Sequence, residues 1–153
     1  MDALELKVPP PIVALLIAAA MWGVSLVTPA APLPANVRLI AAIAIALTGI
    51  ATAIAGVAVF RRARTTANPL KPETSSSLVT SGVYRFTRNP MYVGLTLALL
   101  AWAIFLACAW SLLGPLIFML YMTRFQIMPE ERVLSRIFGA AYSEYQTRVR
   151  RWL

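Results

Sequence analysis

The chain has 153 residues, of which 59% are hydrophobic and only 13% are charged. Soluble domains carry about 25% charged residues, so this composition excludes an ordinary cytosolic domain, and the high hydrophobicity excludes a disordered chain. The net charge is +8, histidine is absent, and the one cysteine, Cys108, excludes an internal disulfide and a cysteine cluster for zinc or iron–sulfur. We expect one integral membrane domain over residues 1–153, without a metal site.

Uncharged apolar stretches set the predicted topology. The first lies between Lys7 and Arg38, with its apolar part from Ile12 to about Val27, and the second extends from Leu39 to Phe60. A pass takes about 20 residues, so each of these stretches predicts one pass. The third, from 89 to 123, is too long for one helix and suffices for two short helices joined by a tight turn near Ala107–Ser111. The predicted fold is therefore all-α with four transmembrane helices, the first two within residues 1–67.

The first apolar stretch has an alternative interpretation as a cleaved signal peptide. Signal peptides begin with a positively charged region, whereas this chain begins with Asp2 and Glu5 against a single Lys7. The charge at the start therefore favours a retained first helix.

The basic residues predict the orientation. Of the 14 lysines and arginines, only Arg38 falls in the loop between the first two helices, and Lys7 precedes the first helix. The others follow the second and fourth helices, at Arg61, Arg62, Arg64, Lys71, Arg85, Arg88, Arg124, Arg132, Arg136, Arg148, Arg150 and Arg151. The positive-inside rule then places both termini and the central loop in the cytoplasm, for a multi-pass protein of the inner, cytoplasmic membrane.

A cytoplasmic helical tail is expected after Thr123. Pro129 suits the start of a helix, and Glu130 and Glu131 in its first turn complement the helix dipole. An apolar stripe at spacings of three and four follows, formed by Leu134, Phe138, Tyr142, Tyr145, Val149 and Trp152, and Gly139 is expected to bend the helix. The arginines near Trp152 favour contact with lipid headgroups over binding of nucleic acid.

Polar side chains are concentrated at the cytoplasmic ends of helices two to four, in residues 78–94 and 130–145. No ionisable residue lies in the middle of a predicted membrane helix, which disfavours a transporter or channel. Taken singly, these residues have ordinary structural explanations. Arg88 flanks a membrane helix, Asn89 suits its cap, and Glu130 and Glu131 suit a helix start.

Together, the two clusters resemble the signature of the membrane-embedded methyltransferases that include isoprenylcysteine carboxyl methyltransferase and the phospholipid methyltransferases. That signature has Gly-x-Tyr, then Arg-His-Pro-x-Tyr-x-Gly, and after a membrane hairpin Glu-Glu, Leu, Phe-Gly and two spaced tyrosines. The matching positions are Gly82, Tyr84, the run from Arg88 to Gly94, Glu130, Glu131, Leu134, Phe138, Gly139, Tyr142 and Tyr145. The resemblance covers residues 78–153, about half of the chain.

Two positions depart from the family pattern. The usual histidine after the arginine is Asn89 here, and an amide can cap a helix or hold a cofactor but cannot titrate near neutral pH. The arginine that isoprenylcysteine enzymes place four residues before the first glutamate is Gln126, with Arg124 two residues earlier. The second departure weakens the case for an isoprenylcysteine substrate.

The resemblance implies S-adenosylmethionine as the cofactor, held by residues 68–153 through a loop, a transmembrane hairpin and C-terminal helices. It implies Arg88 and Glu130 as catalytic residues, and Arg124 and Gln126 as substrate-binding residues. Arg88 has two open roles, contact with the cofactor carboxylate or an ion pair with Glu131. The implied cofactor-binding residues are Ser77, Leu78, Val79, Tyr84, Arg88, Asn89, Pro90, Tyr92, Glu130, Glu131 and Tyr142.

The function predicted on this basis is methyl transfer within the membrane to a lipophilic small molecule or lipid, as in isoprenylcysteine carboxyl methyltransferase. Such transfer needs little acid–base help because the methyl donor is already activated, so a chain without histidine can perform it. Two alternatives remain open. One is N-methylation of a phospholipid headgroup, and the other is a non-catalytic membrane module that retains the fold.

Overall fold

The computed structural model describes residues 5–63, 70 and 72–153. Its helices are α1 (Pro10–Val27), α2 (Ala35–Arg62), α3 (Pro90–Leu106), α4 (Leu113–Met122) and α5 (Met128–Arg148). Short 3₁₀ turns lie at Pro72–Thr74, Gly82–Arg85 and Ala109–Leu112, and a π turn at Thr123–Ile127 joins α4 to α5. No strand occurs in the described ranges, which agrees with the all-α prediction.

Part of the predicted basic loop lies outside the described residues. Arg64 and Lys71, and the expected boundary between residues 67 and 68, belong to that part. Arg61 and Arg62 end α2 and are exposed, as the prediction of a basic loop requires.

Prolines and a left-handed residue determine where the helices begin and end. Pro10 and Pro90 occupy the first turns of α1 and α3, where the missing N–H has no intrahelical partner in any case. α3 ends at Ala107, whose φ of 49° reverses the chain into the Ala109–Leu112 turn before α4. The tight turn predicted near Ala107–Ser111 is confirmed.

Small residues bring α2 and α3 into backbone contact. A Cβ on Gly49 would lie 2.8 Å from the carbonyl oxygen of Gly94, and a Cβ on Gly94 would lie 2.7 Å from that of Gly49. Further along, a Cβ on Gly56 would lie 3.1 Å from the ring of Pro90. Close approach of this kind is how helices associate in lipid, where the hydrophobic effect does not drive them together.

α3 lies at the centre of the fold, in contact with α1, α2 and α4. The outward faces of α1 and α2 are apolar and exposed, as at Leu15, Leu16, Ile40 and Ile54. Such faces suit contact with lipid. The buried core between α1, α3 and α4 consists of Val13, Ala14, Met21, Tyr92, Leu99, Ala103, Phe118, Met122 and Ile127.

In residues 5–63, 70 and 72–153, three helical stretches are long and apolar enough to span a membrane. They are Pro10–Val27, Ala35–Arg62 and the continuous run Ala109–Arg148. α3 is equally apolar but has 17 residues, the lower end of the range that crosses a hydrocarbon core of about 30 Å. These lengths and compositions are consistent with a membrane protein.

The C-terminal helix is continuous with the fourth apolar helix and does not start anew. Pro129, Glu130 and Glu131 lie in the first turn of α5 as expected, but Met122 and Ile127 keep helical backbone angles through the π turn. Gly139, with φ 50° and ψ −124°, bends α5 as predicted. Tyr142, Tyr145 and Val149 share an apolar cluster with Leu78, Leu134 and Phe138, whereas Trp152 packs against the central core.

Candidate active site

A cavity lies where the end of α2, the Gly82–Arg85 turn, the start of α3 and one side of α5 meet. Its volume is about 790 Å³ when the solvent at its mouth is included. The lining residues are Phe60, Pro72, Ser75, Ser77, Leu78, Val79, Tyr84, Arg88, Asn89, Met91, Tyr92, Ile127, Glu130, Glu131, Leu134, Phe138, Tyr142 and Tyr145.

Glu130 lines this cavity with only neutral hydrogen-bond donors around it. The hydroxyl of Tyr92 donates to its Oε1 at 2.6 Å, and Nε2 of Gln126 donates to the same oxygen at 2.7 Å. Within the described residues, no lysine or arginine lies within ion-pair distance of this carboxylate. A carboxylate held away from water without a cation is energetically costly, so the geometry suits a cationic ligand.

Glu131, the next residue, is neutralised by two guanidinium groups. Arg88 Nη2 lies 2.8 Å from Oε1, and Arg151 contacts both carboxylate oxygens, at 3.0 Å through Nε and 2.7 Å through Nη2. The hydrogen bond to Glu131 raises the pKa of Arg151. Glu131 therefore joins α3, α5 and the C-terminal residues and has little capacity left for a ligand.

Arg88 is held by α5 and the residues after it. Its Nη1 donates to the carbonyls of Gln146 at 3.1 Å and Val149 at 2.9 Å, in addition to the Glu131 pair. The ion pair with Glu131, one of the two open roles of Arg88, is therefore present. Its Nε is buried and has no hydrogen-bond partner among the described residues.

Asn89 occupies the N-cap position of α3, as expected, but its side chain makes no capping hydrogen bond. Its Nδ2 donates to the carbonyl of Arg151 at 2.8 Å, and the backbone N–H of Arg88 donates to the carbonyl of Arg150 at 3.0 Å. The C-terminal residues thus supply acceptors that hold the Arg88-Asn89 segment in place. Thr87 forms the remaining local contact, accepting from the N–H of Asn89 at 3.1 Å.

Tyrosines form an aromatic wall of the cavity. The hydroxyl of Tyr145 donates to the carbonyl of Tyr84 at 2.7 Å, and the ring of Tyr84 meets that of Phe60 edge to face at 5.3 Å. Burial raises the pKa of Tyr84, so its hydroxyl stays protonated at physiological pH. Tyr142 lines the same cavity, with its ring 6.2 Å from that of Tyr145.

Two buried polar atoms in the cavity wall have no hydrogen-bond partner within the part of the chain that the structure describes. They are Oγ of Ser77 and Nε of Arg88. Buried polar groups are nearly always hydrogen-bonded, so unpaired atoms at a cavity indicate the place of a polar ligand. A ligand with a hydrogen-bond acceptor near Arg88 would pair with the free Nε. If the same ligand carried a cation near Glu130, it would also neutralise that carboxylate.

The structure brings most of the sequence-predicted site residues together. Pro90 is buried at the start of α3 but does not line the cavity. Gln126 is buried beneath Glu130, and Arg124 lies outside the cavity, paired with Glu5. The predicted residues that line the cavity are Ser77, Leu78, Val79, Tyr84, Arg88, Asn89, Tyr92, Glu130, Glu131 and Tyr142.

Several lining and supporting residues were not predicted as site residues. Phe60, Met91 and Ile127 are apolar residues of membrane helices, and nothing in the sequence distinguishes them from their neighbours. Leu134, Phe138 and Tyr145 belong to the matched signature, and their apolar stripe was the available signal. Arg151 had no signal beyond a basic C-terminal run.

Comparison with known proteins gives the family. The family model described as phospholipid methyltransferase matches residues 37–141, more than half of the chain. The chain belongs to the phospholipid methyltransferase family. The match of this methyltransferase family includes Arg88, Tyr92, Glu130 and Glu131, and it ends one residue before Tyr142.

A similar protein comes from Haemophilus influenzae, where it is described as an uncharacterized protein. It is 46% identical to the chain over 63 residues, which are 41% of the chain and the whole of that relative. No solved structure matches the chain. Membership of the phospholipid methyltransferase family supports a membrane methyltransferase and gives the reaction class, methyl transfer.

Proposed function

We propose that the chain is an S-adenosylmethionine-dependent methyltransferase that acts in the membrane on a lipophilic small molecule or lipid. The observation that carries this proposal is Glu130, a carboxylate that lines a cavity with only neutral donors beside a neighbour that holds two arginines. A cofactor with an ammonium and a sulfonium supplies the missing cation. Family membership supports the reaction class.

The chemistry of the cavity wall fits this cofactor. Glu130 would accept hydrogen bonds from the cofactor's amino group, and the unpaired Nε of Arg88 would donate to its carboxylate. The unpaired hydroxyl of Ser77 is suited to a ribose or adenine edge, and the faces of Tyr84 and Tyr142 suit a cation. When bound, S-adenosylmethionine supplies an activated methyl group.

The chain's own residues then have three tasks. Glu130 would hold the amino group of the cofactor and Arg88 its carboxylate. These two contacts of opposite charge would orient the bound molecule. The tyrosines of the aromatic wall and Leu134, which line the cavity, would exclude water from the reacting atoms of a bound cofactor. The hydrogen bonds from Tyr92 and Gln126 keep the Glu130 carboxylate from turning. Orientation in a dry pocket is sufficient for most of the rate acceleration when the donor is already activated.

The acceptor that we propose enters from the apolar side of the cavity. Phe60 of α2, Met91 of α3 and Ile127 of the π turn supply the apolar lining there. These contacts suit a lipophilic acceptor and do not select its nucleophile. The family description favours, as the second candidate, N-methylation of a phospholipid headgroup.

We also propose four membrane passes with both termini in the cytoplasm. Arg61, Arg62 and Arg85 lie at the same end of the bundle as the π turn, since their neighbours Phe60 and Tyr84 line one cavity with Ile127. Glu5, near the N-terminus, lies at that end too, because it pairs with Arg124 of the π turn. Arg38 begins α2 at the opposite end. This asymmetry follows the positive-inside rule.

Orientation is tested with Ser76→Cys, combined with Cys108→Ala so that one thiol remains. The introduced cysteine should react with an impermeant thiol reagent only after the cytoplasmic side is opened. Reaction in intact cells would contradict the orientation.

The function is tested by incubating the detergent-extracted protein with methyl-labelled S-adenosylmethionine and a total lipid extract. Label should appear in one extractable lipophilic species, and its headgroup composition would separate a phospholipid from another acceptor. Calorimetry with unlabelled cofactor accompanies the assay. Absence of both binding and label would favour the non-catalytic module.

A further inference from the structure

Residues 5–9, here named the N-terminal segment, contact the π turn directly below Glu130. The backbone N–H of Leu6 donates to the carbonyl of Phe125 at 3.1 Å. Leu6 adopts a left-handed backbone with φ 56°, a conformation that costs a residue with a side chain of this size some energy. The contact is therefore made at the expense of local strain.

Pro129 explains why this hydrogen bond exists. In an α-helix the carbonyl of Phe125 would accept from the N–H of residue 129, but proline has no N–H and its ring crowds that carbonyl. The helix responds with a π turn, in which the N–H of Met128 reaches back to the carbonyl of Thr123. Leu6 supplies the donor that Pro129 lacks.

Glu5 holds the same helix by charge. Its side chain is only 2% exposed, with Arg132 Nη2 at 2.6 Å from Oε2 and Arg124 Nη1 at 3.1 Å from Oε1. The hydrogen bond from Arg132 lowers the pKa of the Glu5 carboxyl, and Arg124 adds to the effect. Both arginines retain about half of their exposure, at 50% and 47%, so the buried member of the group is Glu5.

The two arginines bracket the residues that support the proposed cofactor site. Gln126 and Glu130 lie between Arg124 and Arg132 along the chain, and Gln126 donates to Glu130 at 2.7 Å. The π turn determines which way Gln126 faces, because one extra residue in a helical turn rotates every later side chain. Glu5 binds Arg124 before this segment and Arg132 after it, and it thereby fixes the rotation of the side chains between them.

We infer that Glu5 is a positioning residue, which through Arg124 and Arg132 holds the π turn in the register that directs Gln126 onto Glu130. This inference rests on the proposed function for its effect on cofactor binding, and on the observed contacts for its effect on the helix. The N-terminal segment thereby acts on the site without touching the cavity. Neither Glu5 nor Leu6 lines it.

The test compares Glu5→Gln in two backgrounds, the parent and Gln126→Ala. Glu5→Gln should weaken binding of S-adenosylmethionine about three- to tenfold in the parent, and less than about twofold where Gln126 is already absent, since coupled residues are not additive. An equal loss in both backgrounds, or none in the parent, would show that Glu5 does not act through Gln126.

Amide hydrogen exchange of residues 124–131 without cofactor keeps the test independent of the proposed function. These amides should exchange faster in Glu5→Gln than in the parent, and unchanged exchange would overturn the inference even if the parent binds no cofactor. If Glu5→Gln fails to fold, Arg132→Gln serves in its place, because it leaves the pair with Arg124. The matched control is Glu144→Gln, which removes an exposed ion pair with Arg148 and should change neither readout.

Discussion

The apolar body of the bundle and its polar end are held together by different interactions. In the body, α2 and α3 meet through Gly49 and Gly94, whose backbones leave no room for a methyl group. At the polar end, Glu131 joins Arg88 and Arg151. Volume decides whether the body packs, whereas charge decides whether the end is ordered, and the cavity lies at the junction.

The same contrast recurs at the polar end between adjacent residues. Glu131 is saturated by two guanidinium groups, whereas Glu130 receives only the hydroxyl of Tyr92 and the amide of Gln126. Position in the sequence does not separate them. One helical step, about 100° of rotation, turns Glu131 toward the C-terminal residues and Glu130 toward the core side of the cavity. A carboxylate that holds two arginines and a carboxylate for which we propose a ligand are therefore adjacent in the sequence.

The largest effect is expected in the body. Gly94→Leu would push a side chain against the carbonyl of Gly49 and against Ala53, and should destabilise the protein by about 3 kcal/mol or more, since overpacking here displaces backbone. The readout is the thermal midpoint in detergent. Gly23→Leu is the control, because nothing lies within 4 Å of its Cβ position, and an equal loss in both variants would refute the packing account.

The next effect is expected at the polar end. Glu131→Gln leaves the guanidinium of Arg88, 10% exposed, without its carboxylate and should lower the free energy of unfolding by about 2–3 kcal/mol. Chemical denaturation in detergent measures it. Glu144→Gln, whose ion pair is exposed, should cost less than about 0.5 kcal/mol. A difference near zero between the two variants would mean that Glu131 does not hold the end together.

Acidification should remove the contribution of Glu5. Because the hydrogen bond from Arg132 lowers the folded-state pKa of this carboxyl, its stabilisation is fully present above the ordinary glutamate pKa and is lost as the pH falls below that value and through the folded-state pKa. The thermal midpoint of the parent should therefore exceed that of Glu5→Gln at pH 7 and converge with it at low pH. A constant gap across this range would contradict the ion-pair account.

The smallest effect is expected at Asn89. A neutral imidazole can donate to the carbonyl of Arg151 as the amide does, so Asn89→His should keep cofactor affinity within about twofold. Calorimetry at neutral pH measures this. If activity of the variant rose with pH through about 6.5, with no such rise in the parent, the imidazole would instead take part as a titrating group.

The sequence predicted the helices and their turns better than the π turn and the long-range contacts that connect them. The turn at Ala107, the bend at Gly139 and the convergence of the two motif clusters on one cavity followed from local chemistry and the family signature. The π turn could not be predicted from the sequence, because Pro129 is equally compatible with the start of a new helix. Asn89 was expected as a cap, and its acceptor is a backbone carbonyl 62 residues away, which no local pattern reveals.

The site was predictable in its residue types but not in its partners. Glu130 and Glu131 are equivalent in the sequence, and only the position of the C-terminal residues distinguishes them. Gln126 occupies the position where a substrate arginine was considered, yet it donates to Glu130. In the sequence, Glu5 indicated only that the start of the chain lacks the positive charge of a signal peptide. Its pairing with Arg132 is a long-range contact, which no local pattern predicts.

The central claim is that Glu130, unlike its neighbour, lacks a cation in the protein and receives one from the cofactor. Calorimetric titration of Glu130→Gln with S-adenosylmethionine tests this most directly. Affinity should fall by about 1.5–3 kcal/mol, roughly 10- to 150-fold, while the thermal midpoint without cofactor stays at or above that of the parent. Cofactor binding as tight as that of the parent would contradict the account.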